Sequence, residues 1–325
     1  MFVLGLQGSP RKKGNTRYLL SAFLREAEAL GARTHTIDVC AADITACLGC
    51  GFCEKKGRCT IADDDMTRTI YALLRRADVV VVATPIFFFN MTAQLKALVD
   101  RCQVFWSAKY RLQREDPLAG KRLGFLLSVG GSRGKNLFDG LDLTTRYFFD
   151  ALGAQTSGRL VYRGIDQKGD MEKHPGMAAD VRKAAAELIR PLLARKKVVF
   201  ACRENACRSQ MAAGFAARLA GDRLDVQCAG SRPAAQIDPH MVRVMAEKGI
   251  DLQYRRPRAL ETVLAETIPD VLVTMGCGEQ CPLVPGARVI DWDLSDPAGR
   301  SPEFMRTVRD EIERCVKALI AAEVK

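Results

Sequence analysis

The chain has 325 residues, which exceeds one ordinary domain of roughly 100–200 residues and therefore predicts two domains. Hydrophobic residues make up 48% of it, yet no apolar run approaches the roughly 20 residues of a membrane span, so we expect no membrane partner. The formal net charge of +11 comes from dispersed Lys and Arg residues, which argues against nucleic-acid binding and for a basic surface that attracts anionic substrates.

The first half of the chain begins with a predicted β-strand. No charged segment or cleavage site accompanies it, so we interpret it as a strand rather than a signal peptide and expect a cytoplasmic protein. The predicted strands are Phe2–Leu6, Thr34–Val39, Val79–Ala83, Leu123–Val129 and Leu160–Tyr162. The predicted helices between them are Thr16–Leu30, Met66–Arg76, Thr92–Asp100, Lys135–Leu152 and Met177–Leu193. This alternation predicts a doubly wound α/β domain with a parallel sheet over residues 1–194.

The pattern restarts after a polar break at residues 195–197, which predicts a second doubly wound α/β domain over residues 197–325. Its predicted strands are Val198–Ala201, Leu224–Cys228, Val271–Met275 and Arg288–Asp291. Its predicted helices are Gln210–Ala220, Pro239–Lys248 and Pro302–Ala322.

Three loops of the first domain lie at the carboxyl ends of predicted strands, where ligands of open α/β sheets bind. The loop before the first helix can hold a phosphate group, or it is an ordinary helix N-terminus. Its candidate ligand residues are Ser9, Arg11, Gly14, Asn15 and Thr16. The second loop offers aromatic rings beside a flat ligand, unless they join the core, and consists of Pro85, Ile86, Phe87, Phe88, Phe89 and Asn90. The third loop allows close backbone approach at Ser128, Gly130 and Gly131.

Four of the twelve cysteines cluster within thirteen residues, at Cys47, Cys50, Cys53 and Cys59. In a reducing compartment, clustered cysteines indicate metal binding or catalysis rather than disulfides. The compact spacing is typical of iron–sulfur ligation, with zinc, or thiols without a metal, as the alternatives.

These segments resemble the NADPH-dependent FMN reductase and iron–sulfur flavoprotein families over nearly all of residues 1–190. The resemblance implies a flavodoxin-like fold, FMN on the three loops, NAD(P)H as electron donor, a [4Fe–4S] cluster on the four cysteines, and homodimers or homotetramers. It is carried by the segments at residues 8–11, 63–66, 84–101 and 127–133.

The second domain contains a Cys-x5-Arg sequence between its first strand and helix. Backbone N–H groups of such a loop and the Arg208 guanidinium can surround a tetrahedral oxyanion, with Cys202 beneath the central atom as thiolate nucleophile. Ser209 can donate to that thiolate and Asn205 can brace the loop. Asp296, before a proline, is a candidate general acid, although Asp-Pro also serves in turns.

Further cysteines distinguish two reactions for this loop. A phosphatase needs one cysteine, whereas thiol-dependent reduction of arsenate needs a second thiol to displace arsenite and form a disulfide. Cys207, Cys277 and Cys281 are the candidates for that role.

Residues 197–322 resemble the arsenate reductases of the low-molecular-weight tyrosine phosphatase superfamily, on the segments at residues 202–212, 229–231, 275–282 and 296–298. The resemblance implies Cys202 as nucleophile, Arg208 as oxyanion clamp and Asp296 as general acid. Cys277 and Cys281 are closer together than in the thioredoxin-coupled members, so the resolving thiol stays open, with thioredoxin or a small thiol as an external alternative. We expect an arsenate reductase fused to an FMN-dependent NAD(P)H oxidoreductase that supplies electrons. The alternatives are a phosphatase regulated by the flavin domain and a non-catalytic arsenite sensor or electron carrier.

Overall fold

The structure is a computed structural model that describes residues 1–276 and 284–323. The chain divides into two compact units. The first contains residues 1–113 and 119–193, and the second contains residues 114–118 and the described residues from 194 onward. The short segment 114–118 packs with the second unit because Glu115 forms a parallel bridge with Ile250 there.

The first unit is a five-stranded parallel sheet in the order β2-β1-β3-β4-β5. The strands are β1 (Phe2–Gln7), β2 (Arg33–Asp38), β3 (Val79–Pro85), β4 (Arg122–Gly130) and β5 (Ala154–Arg163). The helices are α1 (Asn15–Ala29), α2 (Phe52–Lys56), α3 (Tyr71–Arg76), α4 (Ala93–Arg101), α5 (Gln103–Tyr110), α6 (Asp139–Ala151) and α7 (Met177–Leu193). This strand order is the flavodoxin-like one, with its switch point between β1 and β3, where ligands of such sheets bind.

The elements of the first unit differ from the predicted ones where the apolar pattern is weak. The strand β5 begins at Ala154 instead of Leu160, because its first half is mostly polar and exposed at the edge of the sheet. Helices α2 and α5 were not predicted. The predicted helix over residues 66–76 begins with a π-helical turn at Met66–Ile70.

The second unit is a four-stranded parallel sheet in the order β7-β6-β8-β9. Its strands are β6 (Lys196–Cys202), β7 (Leu224–Gly230), β8 (Val271–Thr274) and β9 (Arg288–Asp291). Its helices are α8 (Arg208–Ala220), α9 (Pro239–Ala246), α10 (Leu260–Glu266) and α11 (Pro302–Glu323). Helix α8 is buried along most of its length, and its apolar side chains form one core with the inner faces of α9 and α11.

Both units are α/β domains with parallel sheets, which confirms the predicted fold class. In the second unit, β6 lies between β7 and β8, so the loop after β6 lies at the carboxyl edge of the sheet beside the loop after β7. Within the described residues, no helix combines the length and the apolar character that crossing a bilayer requires.

Candidate functional site

The loop between β6 and α8 surrounds the sulfur of Cys202. The backbone N–H of Asn205 donates to Cys202 Sγ at 3.2 Å, and Ser209 Oγ lies 3.0 Å from the same sulfur. The thiol is buried, and α8 begins at Arg208, so the positive end of the helix dipole faces this loop. The Asn205 amide and the N-terminus of α8 favour a bound oxyanion at this position.

Asn205 is the residue that braces the loop. It adopts a left-handed backbone conformation with φ 51°, which Asn tolerates better than most residues. Its Oδ1 accepts from Gln210 Nε2 at 3.1 Å and from the backbone N–H of Arg258 at 2.9 Å, and its Nδ2 donates to Ser209 Oγ at 2.8 Å. Because the serine oxygen already accepts that bond, the hydroxyl hydrogen of Ser209 is available to donate to the sulfur of Cys202.

Gly230, at the end of β7, allows the loop between β6 and α8 to approach the neighbouring strand. We name this loop the nucleophile loop after the role expected for Cys202. A Cβ on Gly230 would lie 2.7 Å from the carbonyl oxygen of Arg203 and 2.8 Å from the backbone nitrogen of Asn205. The backbone N–H of Ser231 donates to the carbonyl of Cys202 at 3.1 Å. Glycine is therefore required here because both obstructing atoms are backbone atoms.

The guanidinium of Arg208 is buried and connects the loop to the segment that follows β9. Its Nη1 donates to the carbonyl of Leu294 at 3.1 Å, and its Nη2 lies 2.9 Å from Asp296 Oδ2. The other carboxylate oxygen of Asp296 accepts from the backbone N–H of Ala298 at 3.1 Å. The structure therefore brings Asp296 to Arg208, the first residue of the helix that follows the Cys202 loop, although the two lie far apart in sequence.

Cys207 lies in the same loop but has a different environment. Its thiol donates to Asp238 Oδ2 at 3.5 Å, and Asp238 also accepts from the backbone N–H groups of His240 and Met241 as the N-cap of α9. Burial raises the pKa of the Cys207 thiol, and the negative charge of Asp238 raises it further. The structure therefore holds Cys207 as a neutral hydrogen-bond donor.

The remaining predicted thiols, Cys277 and Cys281, lie outside the described residues. Gln210, Gly230, Asp238 and Arg258 are site residues that sequence reasoning did not assign roles. Gln210 directly follows the Cys-x5-Arg-Ser sequence, and Gly230 lies in the segment 229–231 that carries the resemblance, so both had a signal in the sequence.

In the first unit, the loop before α1 lines a cavity of about 480 Å³ together with residues 166–168. Arg11, Lys13 and Lys168 line it and give it positive charge, with Asp166 as the acidic exception. Helix α1 begins at Asn15 with Gly14 as its N-cap and no side-chain cap, so its first N–H groups are available to an anion. These residues fit the phosphate of FMN, and Lys168 was not predicted.

Of the other predicted residues of this loop, Asn15 has structural partners and two are buried. Asn15 Nδ2 donates to the carbonyl of Gln167 at 2.8 Å, and its Oδ1 accepts from the backbone N–H of Gly169 at 3.2 Å. Ser9 and Thr16 are buried. Asn15 therefore joins the two loops of the cavity, and its side chain holds the rim rather than pointing freely into it.

The aromatic loop after β3 forms a tight turn. Phe87 and Asn90 exchange two backbone hydrogen bonds, of 2.8 and 3.0 Å, and both central residues, Phe88 and Phe89, have positive φ. All three phenylalanine rings are exposed, Phe88 completely, while Pro85 and Ile86 are half-buried. The rings do not join the core, which was the alternative to a role beside a flat ligand.

The third predicted loop contributes through its backbone. Ser128 is buried, and its hydroxyl donates to the carbonyl of Thr84 at 2.8 Å, so its side chain connects β3 to β4. A Cβ on Gly130 would lie 2.7 Å from Leu137 Cδ2, whereas Gly131 is exposed. Of these three residues, only Gly131 is open to solvent.

The four clustered cysteines line one cavity of about 350 Å³ beside the start of α5. Cys47 and Cys50 are exposed, Cys53 and Cys59 are half-buried, and Ser107 Oγ lies 3.4 Å from Cys53 Sγ. Among the described residues, no three His, Cys, Asp or Glu side chains are gathered closely enough to hold a metal ion. The four cysteines line a common cavity, and thiolate sulfur is the donor that a four-iron cluster takes.

The geometry defines two classes of domain: a parallel α/β unit with a basic cavity at the N-terminus of α1, and a second with a buried thiol in the loop between β6 and α8. Residues 1–163 match the family described as NADPH-dependent FMN reductase, and residues 197–325 match the family described as low molecular weight phosphotyrosine protein phosphatase. The chain belongs to both families, one in each unit.

Individual relatives agree with this division. An iron-sulfur flavoprotein of Methanosarcina thermophila is 38% identical over 133 residues, which are 41% of this chain and 65% of that protein. The chain therefore spans slightly less than two thirds of that relative. A glutaredoxin arsenate reductase of Synechocystis sp. is 38% identical over 128 residues, which are 39% of this chain and 97% of that protein. A solved structure described as an arsenate reductase in the phosphate binding state is 37% identical, covers 39% of this chain and 98% of that chain, and has a TM-score of 0.36.

Proposed function

We propose that the second unit reduces arsenate to arsenite and that the first unit binds FMN and takes electrons from NAD(P)H. The observation that carries the first part is the buried sulfur of Cys202, with Ser209 Oγ 3.0 Å away and the Asn205 amide 3.2 Å away, in a loop whose next helix begins with Arg208. A relative named as an arsenate reductase, 97% of which this chain covers, supports arsenate as the oxyanion.

In this proposal the loop amides and Arg208 bind arsenate, and the thiolate of Cys202 attacks the arsenic. An As–S bond forms and an As–O bond breaks, and the departing oxygen leaves as water after taking up protons. Asp296, whose carboxyl group contacts Arg208, is the proposed proton donor after it takes up a proton from solvent. The enzyme then holds a thiol adduct of arsenic(V).

A second thiolate next attacks the sulfur of Cys202. The disulfide forms, the As–S bond breaks, and its electron pair remains on arsenic, which leaves as arsenite. Cys277 and Cys281 are the proposed internal partners, since Cys207 is held by Asp238. Glutaredoxin, thioredoxin or a small thiol is the proposed external reductant, in keeping with the name of the Synechocystis relative.

The first unit is the proposed electron source. When bound, FMN accepts a hydride and releases electrons one or two at a time. The α1 N-terminus, Arg11 and Lys168 would hold its phosphate, and the aromatic turn at residues 87–89 would lie beside its ring. Cys47, Cys50, Cys53 and Cys59 would hold a [4Fe–4S] cluster, and the unit would form homodimers or homotetramers.

The test is a visible spectrum of anaerobically purified protein, followed by additions of NADPH and then arsenate. We expect flavin absorption that bleaches with NADPH and recovers with arsenate, with arsenite formed in equal amount. The Cys202→Ser variant should bleach but not recover. If arsenite forms only when a thiol is added, the proposal is reduced to two separate activities in one chain. If no arsenite forms with or without added thiol, the proposal is wrong.

A second function, hydrolysis of phosphate monoesters, is favoured by the same cradle and by the phosphatase family match of residues 197–325. Hydrolysis needs only the nucleophile, the clamp and the acid. An aryl phosphatase activity that survives a Cys277→Ser, Cys281→Ser double substitution, together with no reduction of arsenate, would favour it.

A further inference from the structure

The cysteine-bearing loop, residues 46–60, is closed at its base by one buried arginine. Arg101, at the end of α4, donates from Nη1 to the carbonyl of Thr45 at 2.7 Å and from Nη2 to the carbonyl of Ile61 at 3.4 Å. These two carbonyls lie immediately outside the loop, one on each side. A single guanidinium therefore holds the two ends of the segment that carries all four cysteines.

Asp64 fixes the orientation of that guanidinium. Arg101 Nη1 forms an ion pair with Asp64 Oδ2, and its Nη2 lies 3.3 Å from Asp64 Oδ1, with both side chains almost completely buried. The same carboxylate accepts from the backbone N–H groups of Thr45 and Thr67, both at 3.2 Å. Such a buried pair is costly to break, because removing one partner leaves the other charge uncompensated.

The two members of this ion pair are placed differently relative to the four cysteines. Arg101 lines the cavity formed by the four cysteines, whereas Asp64 does not. Of the acidic residues that line it, Asp100 is paired with Lys96 at 2.6 Å and Glu54 lies 3.8 Å from Arg111. Arg101 is therefore the member of the buried pair that lines the cavity of the four cysteines.

We propose that Arg101, oriented by Asp64, is the positioning residue of the four-cysteine site. It closes the loop so that the four thiols face one cavity, and it places a positive charge where thiolates and a cluster carry negative charge. The inference rests on the proposed cluster, and it concerns residues that neither family match assigns.

The test separates two roles of Arg101: closing the loop through its hydrogen bonds, which we call the clamp, and placing a positive charge beside the cysteines. Arg101→Lys keeps the charge and loses the fork, Arg101→Gln keeps a side-chain amide and loses the charge, and Asp64→Asn is the nearly isosteric change of the partner. After anaerobic reconstitution, all three should release iron to a chelator about 10-fold faster than the parent or more, as expected when an outer partner of a metal site is lost. Arg101→Gln should shift the reduction potential of the iron site to more negative values, Asp64→Asn should shift it to more positive values, and Arg101→Lys should leave it close to that of the parent.

Arg68→Gln is the matched control. Arg68 also bonds the base of the loop, through the carbonyl of Asp63 at 2.9 Å, but its side chain is half exposed. This variant should retain iron and potential like the parent. Equal iron release from the parent and all three clamp variants would overturn the proposal.

A readout without iron keeps the inference separate from the proposed cluster. In the apo-protein, limited proteolysis within residues 46–60 should be faster in the clamp variants than in the parent and Arg68→Gln. If the parent binds no iron, the proposed cluster is wrong. The comparison of proteolysis rates then still tests whether Arg101 closes the loop. Equal cleavage in all proteins would overturn the clamp whatever the metal content.

Discussion

Two cysteines five residues apart in one loop have different hydrogen-bond partners. Cys202 faces the hydroxyl of Ser209 and an amide, whereas Cys207 faces Asp238. A thiol whose pKa is raised is a poor nucleophile at neutral pH, since the thiolate is the attacking species. The raised pKa of Cys207 thus argues against this residue as the resolving thiol.

The Cys207→Ser variant should therefore retain arsenate reduction to within a few-fold, because serine can still donate to Asp238. Cys202→Ser should lose it completely. Initial rates of arsenite formation with saturating reductant measure both. A loss in Cys207→Ser as severe as in Cys202→Ser would instead assign Cys207 to the relay.

The raised pKa of Cys207 also predicts a pH dependence. A thiol that binds its proton more tightly in the folded state stabilises the fold below its ordinary pKa, and this contribution declines as pH rises above that value. Between about pH 8 and 10, the parent should therefore lose more unfolding free energy than Cys207→Ser. Urea titrations in a Trp106→Phe background, where Trp292 is the remaining tryptophan, measure this in the second unit. Parallel pH profiles would contradict it.

Gly230→Ala should disrupt the nucleophile loop, because the new methyl group meets backbone atoms of residues 203–205 at 2.7 to 2.9 Å. We expect a loss of about 1–3 kcal/mol in unfolding free energy, typical of overpacking. Arsenate reduction should fall with it, since Asn205 must move. The same tryptophan signal and the arsenite assay test both effects.

Gly214→Ala is the control for this substitution. It lies within α8, and its nearest contact would be a side-chain carbon of Leu252 at 3.2 Å, which can shift. Its stability should stay close to that of the parent. If both alanine variants behave alike, the steric argument for Gly230 is wrong.

At the scale of elements, helix α4 is tied to the phosphate loop through one hydroxyl. Thr92 caps α4 by accepting from the backbone N–H of Leu95 at 3.3 Å, and it donates to the carbonyl of Gly8 at 2.6 Å. A cap that also satisfies a buried carbonyl of another segment couples the helix to the cofactor loop.

Thr92→Val should remove both bonds with little change in shape, at a cost of about 1–3 kcal/mol, because the Gly8 carbonyl is left buried without this partner. We also expect weaker FMN binding, measured by flavin fluorescence quenching. Thr69→Val, at an exposed hydroxyl that donates to the carbonyl of Asp65, is the control and should change neither quantity. An unchanged FMN affinity in Thr92→Val would exclude this coupling.

The strongly patterned elements could be predicted from the sequence, and the weakly patterned ones could not. The buried strand β3 is a continuous apolar run, and its predicted range differs from the observed one by two residues. The edge strand β5 is largely polar, and the short helices α2, α5 and α10 lack the repeated apolar face that marks a helix of several turns. The hydrophobic pattern of the sequence therefore predicted the buried strands and long helices of each unit better than its edge strand and short helices.

At the scale of the whole molecule, the net charge of +11 should assist the capture of an anionic substrate. Arg203 and Arg232 are exposed next to the nucleophile loop, joined by a backbone hydrogen bond from Arg232 to Arg203 of 2.8 Å. We expect kcat/KM for arsenate to fall several-fold with added KCl while kcat stays constant, because salt screens the attraction.

The double variant Arg203→Gln, Arg232→Gln should have a lower kcat/KM at low salt and a flatter salt dependence. Arg314→Gln, an exposed change on α11, removes a charge elsewhere in the same unit and should behave nearly as the parent does. A salt dependence that is equal in all three proteins would assign the effect to competition by chloride instead of steering.

The sequence by itself determined the two α/β units, the loop that holds the proposed nucleophile and the four-cysteine segment, because hydrophobic period and close motif spacing are local properties. Tertiary structure alone decided that Asp238 holds Cys207, that Gly230 admits the nucleophile loop, that Lys168 joins the phosphate cavity, and that Arg101 closes the cysteine loop. The partners in each of these pairs are distant in sequence and meet only because strand order brings their loops together. A local pattern records which face of an element is buried, but not which distant side chain meets it there.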